Sequence, residues 1–174
     1  MINSKQESCI RPLNEDDSLE ELTQLLNSSY KKLADEGFKF LASHQNAAIT
    51  KKRIEKGKCF VATLNGKICG TICFYSSKNF PYLKWYENHA VASCGQFAVE
   101  EKFQNRGIGN KLIEYAEQLA LEEGAEEIAI DTAEGASQLT RFYENRGYRF
   151  VAFAQWETTN YRSVIMSKKL FKGK

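Results

Sequence analysis

Only two prolines, Pro12 and Pro81, occur in the 174 residues, and no stretch is Gly/Ser-rich or of low complexity. Nothing marks an interdomain linker or an internal repeat, so residues 1–174 are expected to form a single domain. No apolar run approaches the roughly 18 residues needed to span a bilayer, and the polar opening Met1-Ile2-Asn3-Ser4-Lys5-Gln6 lacks the apolar region of a signal peptide. The expectation is a cytoplasmic protein with no membrane partner. Charge of one sign is also missing: 24 basic and 22 acidic side chains leave a net charge of +2. That is far from the footprint of a dedicated nucleic-acid binder, so no nucleic-acid partner is expected. The five cysteines are an odd number with no CxxC pair, which suits reduced thiols in a reducing compartment. The two histidines, His44 and His89, lie far apart and near no cysteine at metal-ligand spacing, so no metal is expected. What remains is an ordinary globular composition, 43% apolar and 26% charged. A chain of this length buries roughly two thirds of its unfolded surface without a staple.

Hydropathy patterning sets out a mixed α/β order. Cys9 to Leu13 suits a short first strand. Ser18-Leu19-Glu20-Glu21 has the form of a capping box, and Leu19, Leu22, Leu26 and Leu33 recur at helical spacing, which predicts one helix over about 18–34. A shorter helix runs from Asn46 or Thr50 to Lys56 and stops at Gly57. Cys59–Leu64 and Lys67–Tyr75 are β-rich runs joined by Asn65-Gly66, the pair a type I′ hairpin turn favours. From Ser76 to Ala92 the pattern breaks into an aromatic-rich loop holding Phe80, Pro81, Tyr82, Trp85 and Tyr86; loops of that length tend to be functional or mobile. Regularity resumes with a strand over Cys94–Val99 and a helix over Gly107–Glu123, whose apolar face is Ile108, Leu112, Ala116, Leu119 and Ala120 and which Gly124 ends. A strand over Glu127–Thr132, a helix over Ala136–Asn145 closed by Gly147, and strands near Tyr148–Trp156 and Ser163–Lys169 complete the chain. The order is a central strand-turn-helix-strand unit with a hairpin at each flank.

The sharpest chemical signal is Gln104-Asn105-Arg106-Gly107-Ile108-Gly109, between a predicted strand and the start of an amphipathic helix. Two glycines let the backbone turn tightly and approach a ligand, while unpaired amides and the positive end of the helix dipole favour a phosphate or diphosphate. Arg106 and Lys111 add positive charge nearby, as an anion site would use or as any solvated surface would carry. A dinucleotide-binding fold wants a third glycine where Leu112 stands, and a Walker loop wants Gly-Lys-Ser/Thr where Gly109-Asn110-Lys111 stands. Neither motif fits.

The loop does match Gln/Arg-x-x-Gly-x-Gly/Ala, the acyl-CoA-binding pattern of the GNAT superfamily of N-acetyltransferases. The chain resembles that family over nearly its whole length: the strand ending Gln96-Phe97-Ala98-Val99, the loop, and Phe142-Tyr143-Glu144-Asn145-Arg146-Gly147-Tyr148 follow in the family's order with one strand between the last two. The resemblance implies an α/β fold with a mixed six- to seven-stranded sheet, splayed between its fourth and fifth strands, and about four helices. It implies acetyl-CoA as co-substrate in the gap, beside Phe97, Ala98 and Val99. The amides of Arg106, Gly107, Ile108, Gly109 and Asn110 would hold the diphosphate, with Gln104 and Asn105 at the entrance. A main-chain amide near Ala98 or Val99 would polarise the thioester carbonyl. Tyr143 falls at the position of the general acid that protonates the departing thiolate, and is equally an aromatic on a buried helix face with Leu139. An amine would attack directly in a ternary complex, without an acyl-enzyme.

Two departures stand out. Ser93-Cys94-Gly95-Gln96-Phe97 has no acid where many relatives place a carboxylate base. Glu87 or His89 from the aromatic loop, and Glu100 or Glu101 at the strand's end, are the remaining candidates, each otherwise a solvated charge. Ala136 stands where many relatives carry an asparagine toward the cofactor arm, and Ser137 beside it is the substitute. Asp131, Thr132 and Glu134 would attract a cationic amine or cap the next helix. The aromatic loop and Trp156–Tyr161 would line an acceptor pocket or simply cover the sheet. The leading reading is acetyl transfer to an amine of a small molecule, a peptide terminus or a lysine. The alternative is a non-catalytic acyl-CoA-binding or regulatory module, and a homodimer is compatible with either.

Overall fold

The computed structural model describes residues 8–76 and 90–171. Seven strands form one sheet: β1 (Cys9–Pro12), β2 (Lys58–Leu64), β3 (Lys67–Tyr75), β4 (Val91–Val99), β5 (Glu127–Ala133), β6 (Arg149–Gln155) and β7 (Arg162–Lys169). Their order across the sheet is β1-β2-β3-β4-β5-β7-β6. Every neighbouring pair is antiparallel except β4 and β5, which run parallel. The α-helices are α1 (Leu19–Ser29), α2 (Lys31–Asp35), α3 (Ala47–Ile54), α4 (Ile108–Glu122) and α5 (Ser137–Glu144).

Strand alternation decides which side chains meet which helix layer. On β2, Phe60 and Ala62 turn to one face and pack with Ile72 and Phe74 of β3 against Ile108, Leu112, Ile113, Ala116 and Ala120 of α4. Val61 turns to the other face and packs with Ala98 of β4 against Leu22, Leu25 and Leu26 of α1. The β2–β3 hairpin closes through Asn65 and Gly66, both at positive φ (52° and 77°) as a type I′ turn demands.

The first helix differs from its sequence expectation. The chain breaks at Tyr30, at φ −96° and ψ 0°, so the predicted single helix is two and the count is five. Asn27-Ser28-Ser29 explains the break, because these short polar side chains bond carbonyls instead of supporting the helix. Asn27 donates to Ala42 O and Gln45 O, Ser28 to Leu25 O, and Ser29 to Val99 O. The break also lets the Tyr30 hydroxyl reach β4, where it donates to Phe97 O at 2.9 Å.

The feature that positions the site is the short reach of the parallel pairing. β4 and β5 are paired only from Val91/Glu127 to Ser93/Ala129, and beyond that they diverge. The β3–β4 register slips at the same place: Cys73 pairs with Gly95 but Thr71 with Ala98, which leaves one extra residue on β4. This is a bulge, and Gln96 within it sits at φ +46°.

Candidate active site

Four segments meet at the gap: β4 from Cys94 onward, the upper half of β5, the N-terminus of α4 and helix α5. A cavity of about 750 Å³ runs through the opening. It is lined by Cys94–Phe97 of β4 and Ile130–Thr132 of β5 from the sheet, by Tyr143 of α5, and by Tyr30 and Arg53 from the α1–α3 layer.

The loop before α4 carries unused donors. Asn105 and Gly107 both take positive φ, 58° and 81°, which turns the chain into the helix at a position where a side chain beyond Cα is strained. Gly107 is the N-cap and supplies no side-chain acceptor. The first helical bond runs from Lys111 N to Gly107 O. Among the described residues no acceptor takes the amides of Asn105 to Asn110. Two other helices are capped by side chains: Ser18 Oγ accepts from Glu21 N at α1, and Asn46 Oδ1 from Ile49 N at α3. A helix start left uncapped beside an opening is a ready anion site. Arg106 lies over the Phe103 ring, 5.5 Å from its centroid.

On β4 the ladder fixes which main-chain groups face the gap. Glu100 N donates to Cys69 O, so by antiparallel alternation Ala98 is bonded to β3 and Val99 turns its groups to the open side. The Val99 carbonyl is occupied by Gln104 Nε2 at 3.0 Å, and the Phe97 carbonyl by Tyr30. Behind the bulge lies a buried polar chain. Arg53 Nη1 donates to Gln45 Oε1 (2.6 Å), Gln45 Nε2 donates to Gln96 Oε1 (2.8 Å) and Thr50 Oγ1 (2.7 Å), and Gln96 Nε2 donates to Cys73 Sγ.

Tyr143 is 3% exposed, ringed by Phe142 and Tyr148 at centroid distances of 5.3 and 5.8 Å, and its hydroxyl bonds no described residue. Burial, reinforced by the nearby Tyr30, Cys94 and Asp131, holds its phenol well above the usual range, so it is protonated at neutral pH. Asp131 lines the cavity and is exposed to it; desolvation by the surrounding protein raises its carboxyl pKa, while Trp156 Nε1, which donates to it at 2.9 Å, and the charge of Arg53 oppose that rise. Thr132 Oγ1 is buried beside it with no partner among the described residues.

The remaining expected positions separate into those the fold gathers and those it does not. Glu100 is held by Lys102 at 2.7 Å and is not among the cavity-lining residues, and Glu101 is exposed. Glu87, His89 and most of the aromatic loop lie outside the described residues. Trp156, Glu157, Thr158, Thr159 and Tyr161 do line the cavity, and Trp156 also packs against the small apolar cluster of Val91, Ala129, Ala154 and Ile165. Neither Asp131 nor Glu134 caps α5, since Glu134 is paired with Arg162 and the cap position is buried Ala136 without a side-chain bond. Ser137 is exposed at the first position of α5. Sequence patterning missed Tyr30, Gln45, Arg53 and Gln96. None breaks a hydrophobic period; only Gln96 left a trace, as a large polar residue inside a strand bound for the core.

An open mixed sheet that splays at its one parallel pair, with a bare helix N-terminus at the divergence, defines an α/β protein with an anion-receptive opening, and comparison with known proteins gives the family. The model of the Acetyltransferase (GNAT) family matches residues 19–148, and the chain belongs to that family as an N-acetyltransferase. The S-(2-succino)cysteine N-acetyltransferase of Bacillus subtilis is 28% identical over 131 residues, covering 74% of this chain and 77% of that one. A Pyrococcus horikoshii protein of known structure superimposes with a TM-score of 0.72 at 25% identity, over 95% of this chain and 100% of that one. A GNAT family acetyltransferase from Elizabethkingia anophelis, solved with acetyl-CoA bound, has the same fold at a TM-score of 0.67 and 17% identity, over 95% of this chain and 100% of that one.

Replacing Gln45 by leucine tests the buried chain. Arg53 and Gln96 then each lose a partner, and stability in urea falls by about 1–3 kcal/mol. The same change at exposed Gln104 costs less than about 0.5 kcal/mol.

Proposed function

We propose that this protein moves an acetyl group from acetyl-CoA directly to the amine of a small-molecule acceptor, both bound at once. The observation that carries this reading is the run of unbonded amides from Asn105 to Asn110 at the start of α4, where Gly109 lies against the ring of Phe97, a residue of the cavity wall. These amides and the positive end of the α4 dipole would grip the diphosphate, with Gln104 tying the loop to Val99. Phe97, Ala98 and Val99 would flank the carrier arm, and Ser137 at the start of α5 would meet it from the other side.

The carrier supplies a thioester, and this chain's residues act on it in turn. The Val99 N–H, turned to the open side, donates to the carbonyl oxygen as negative charge grows there. The neutral amine forms the new C–N bond, and the C–S bond breaks with its electron pair on sulfur. Tyr143 then gives its hydroxyl proton to that sulfur. A phenol kept protonated by burial suits this role, and its hydrogen bond strengthens only as the thiolate develops. Glu100, at the end of β4, and Glu87 stay the proposed proton acceptors for the amine.

The cavity volume fits a small acceptor. The name of the Bacillus subtilis relative places an S-substituted cysteine first among acceptors to try. No cofactor other than the thioester carrier is required.

Two variants test the assignment. At Gly109 a Cβ meets Phe97, Phe142 and Val99 at 3.4, 3.7 and 3.7 Å, ordinary contacts, and Gly109→Glu brings a carboxylate to the loop proposed to hold the diphosphate. Calorimetry should show CoA affinity lowered at least about 100-fold with the melting midpoint little changed; unaltered affinity contradicts the site. Tyr143→Phe should lower kcat by about 10²- to 10⁴-fold while the CoA dissociation constant moves far less, as steady-state kinetics and titration together would show. A wild-type rate removes the acid role.

A further inference from the structure

The two walls of the cavity carry opposite charges that acetyl transfer as such does not need. Arg53, in the last turn of α3, is half-buried and spends Nη1 on the neutral amide of Gln45. No described carboxylate pairs with it. A guanidinium held by an amide keeps its full charge and most of its five donors for a ligand. The support is also built: Gln45 and Gln96 behind it are 2% and 3% exposed.

Across the opening stands Asp131 on β5. It accepts a bond from Trp156 and pairs with no described cation. Arg53 lowers the Asp131 pKa and Asp131 raises that of Tyr143, so the carboxylate lies within electrostatic reach of both the cation and the acid. The two charged groups nevertheless form no ion pair with one another. Arg53 is half-buried and Asp131 exposed where they line the cavity, so each is open to a ligand that reaches both.

We propose that the acceptor is an amine that also bears a carboxylate, with Arg53 binding the carboxylate and Asp131 the ammonium. This rests on the acetyl-transfer reading above and names the acceptor class and the residues that select it. Asp131 then has a second part. Its free oxygen takes the proton that the ammonium loses before attack, which frees the lone pair for the thioester carbon. Asp131 thus answers for the carboxylate missing from β4, from the strand across the gap.

The test is free-thiol release with acetyl-CoA and matched acceptors, each amino acid beside its carboxamide: S-(2-succino)cysteine, methionine, β-alanine and 4-aminobutyrate. The wild-type protein should favour the acid member of the pairs it uses by about tenfold or more in kcat/KM. Arg53→Gln should raise KM for the acids about tenfold beyond any loss the carboxamides suffer, and Arg53→Lys should restore part of it. Asp131→Asn should lower kcat for both members alike. Equal use of acid and carboxamide by the wild type, or an equal loss of both in Arg53→Gln, overturns the clamp. If CoA binds but no acceptor releases thiol, it is the transfer reading that has failed. The same pairs titrated into the protein–CoA complex then decide the clamp: saturable binding of acids that Arg53→Gln weakens about tenfold supports it, and no preference for acids overturns it.

Discussion

Everything at the site depends on two parallel strands that stop pairing. β4 and β5 share three residue pairs and then separate, so the centre of the sheet opens at the point where a parallel pair would otherwise bury its edges. An unpaired strand edge inside a domain is expensive, since its main-chain groups need partners. The chain supplies some from elsewhere: Tyr30 takes the Phe97 carbonyl, and Ser29 and Gln104 take that of Val99. What is left over on β4 includes the Val99 N–H, and a donor facing an opening suits an electron-rich group.

The opening is held by strain that is compensated locally. A non-glycine residue in the left-handed region costs about 1–2 kcal/mol, and Gln96 occupies it within the β4 bulge. Its side chain is bonded at both ends, to Gln45 and to Cys73. The same chain of bonds continues to Arg53, so the bend in β4 and the cation on the α3 wall share one support. Geometry on the carrier side and charge on the acceptor side are thereby tied together through a few buried amides. The two helices that begin at the gap, α4 and α5, lack side-chain caps, whereas α1 and α3 have them.

Much of this was legible in the sequence, and the rest was hidden for identifiable reasons. The hairpin at Asn65-Gly66, the α4 face and the glycine-bearing loop rest on short-range rules, and each falls within a few residues of its expected bounds. The helix break at Tyr30 did not show, because leucine spacing continues past it to Leu33 while the polar side chains that cause it bond to distant carbonyls. The bulge at Gln96 was invisible within a strand of suitable composition, since register is a property of the partner strand. Arg53 and Asp131 stand 78 positions apart and meet only through the fold. Asp131 was open to two readings in the sequence, and the bond to Trp156 together with the uncapped Ala136 removes the capping one.

The central claim is that main-chain nitrogens before and at the start of α4 receive the diphosphate of an acyl carrier. Amide proton–nitrogen NMR spectra recorded while CoA is added to the labelled protein test it directly. The account predicts the largest shifts at the amides of Asn105 to Asn110, with smaller ones along β4 at Phe97 and Val99. Unmoved resonances in that segment at saturation, with the strongest shifts elsewhere, would contradict it.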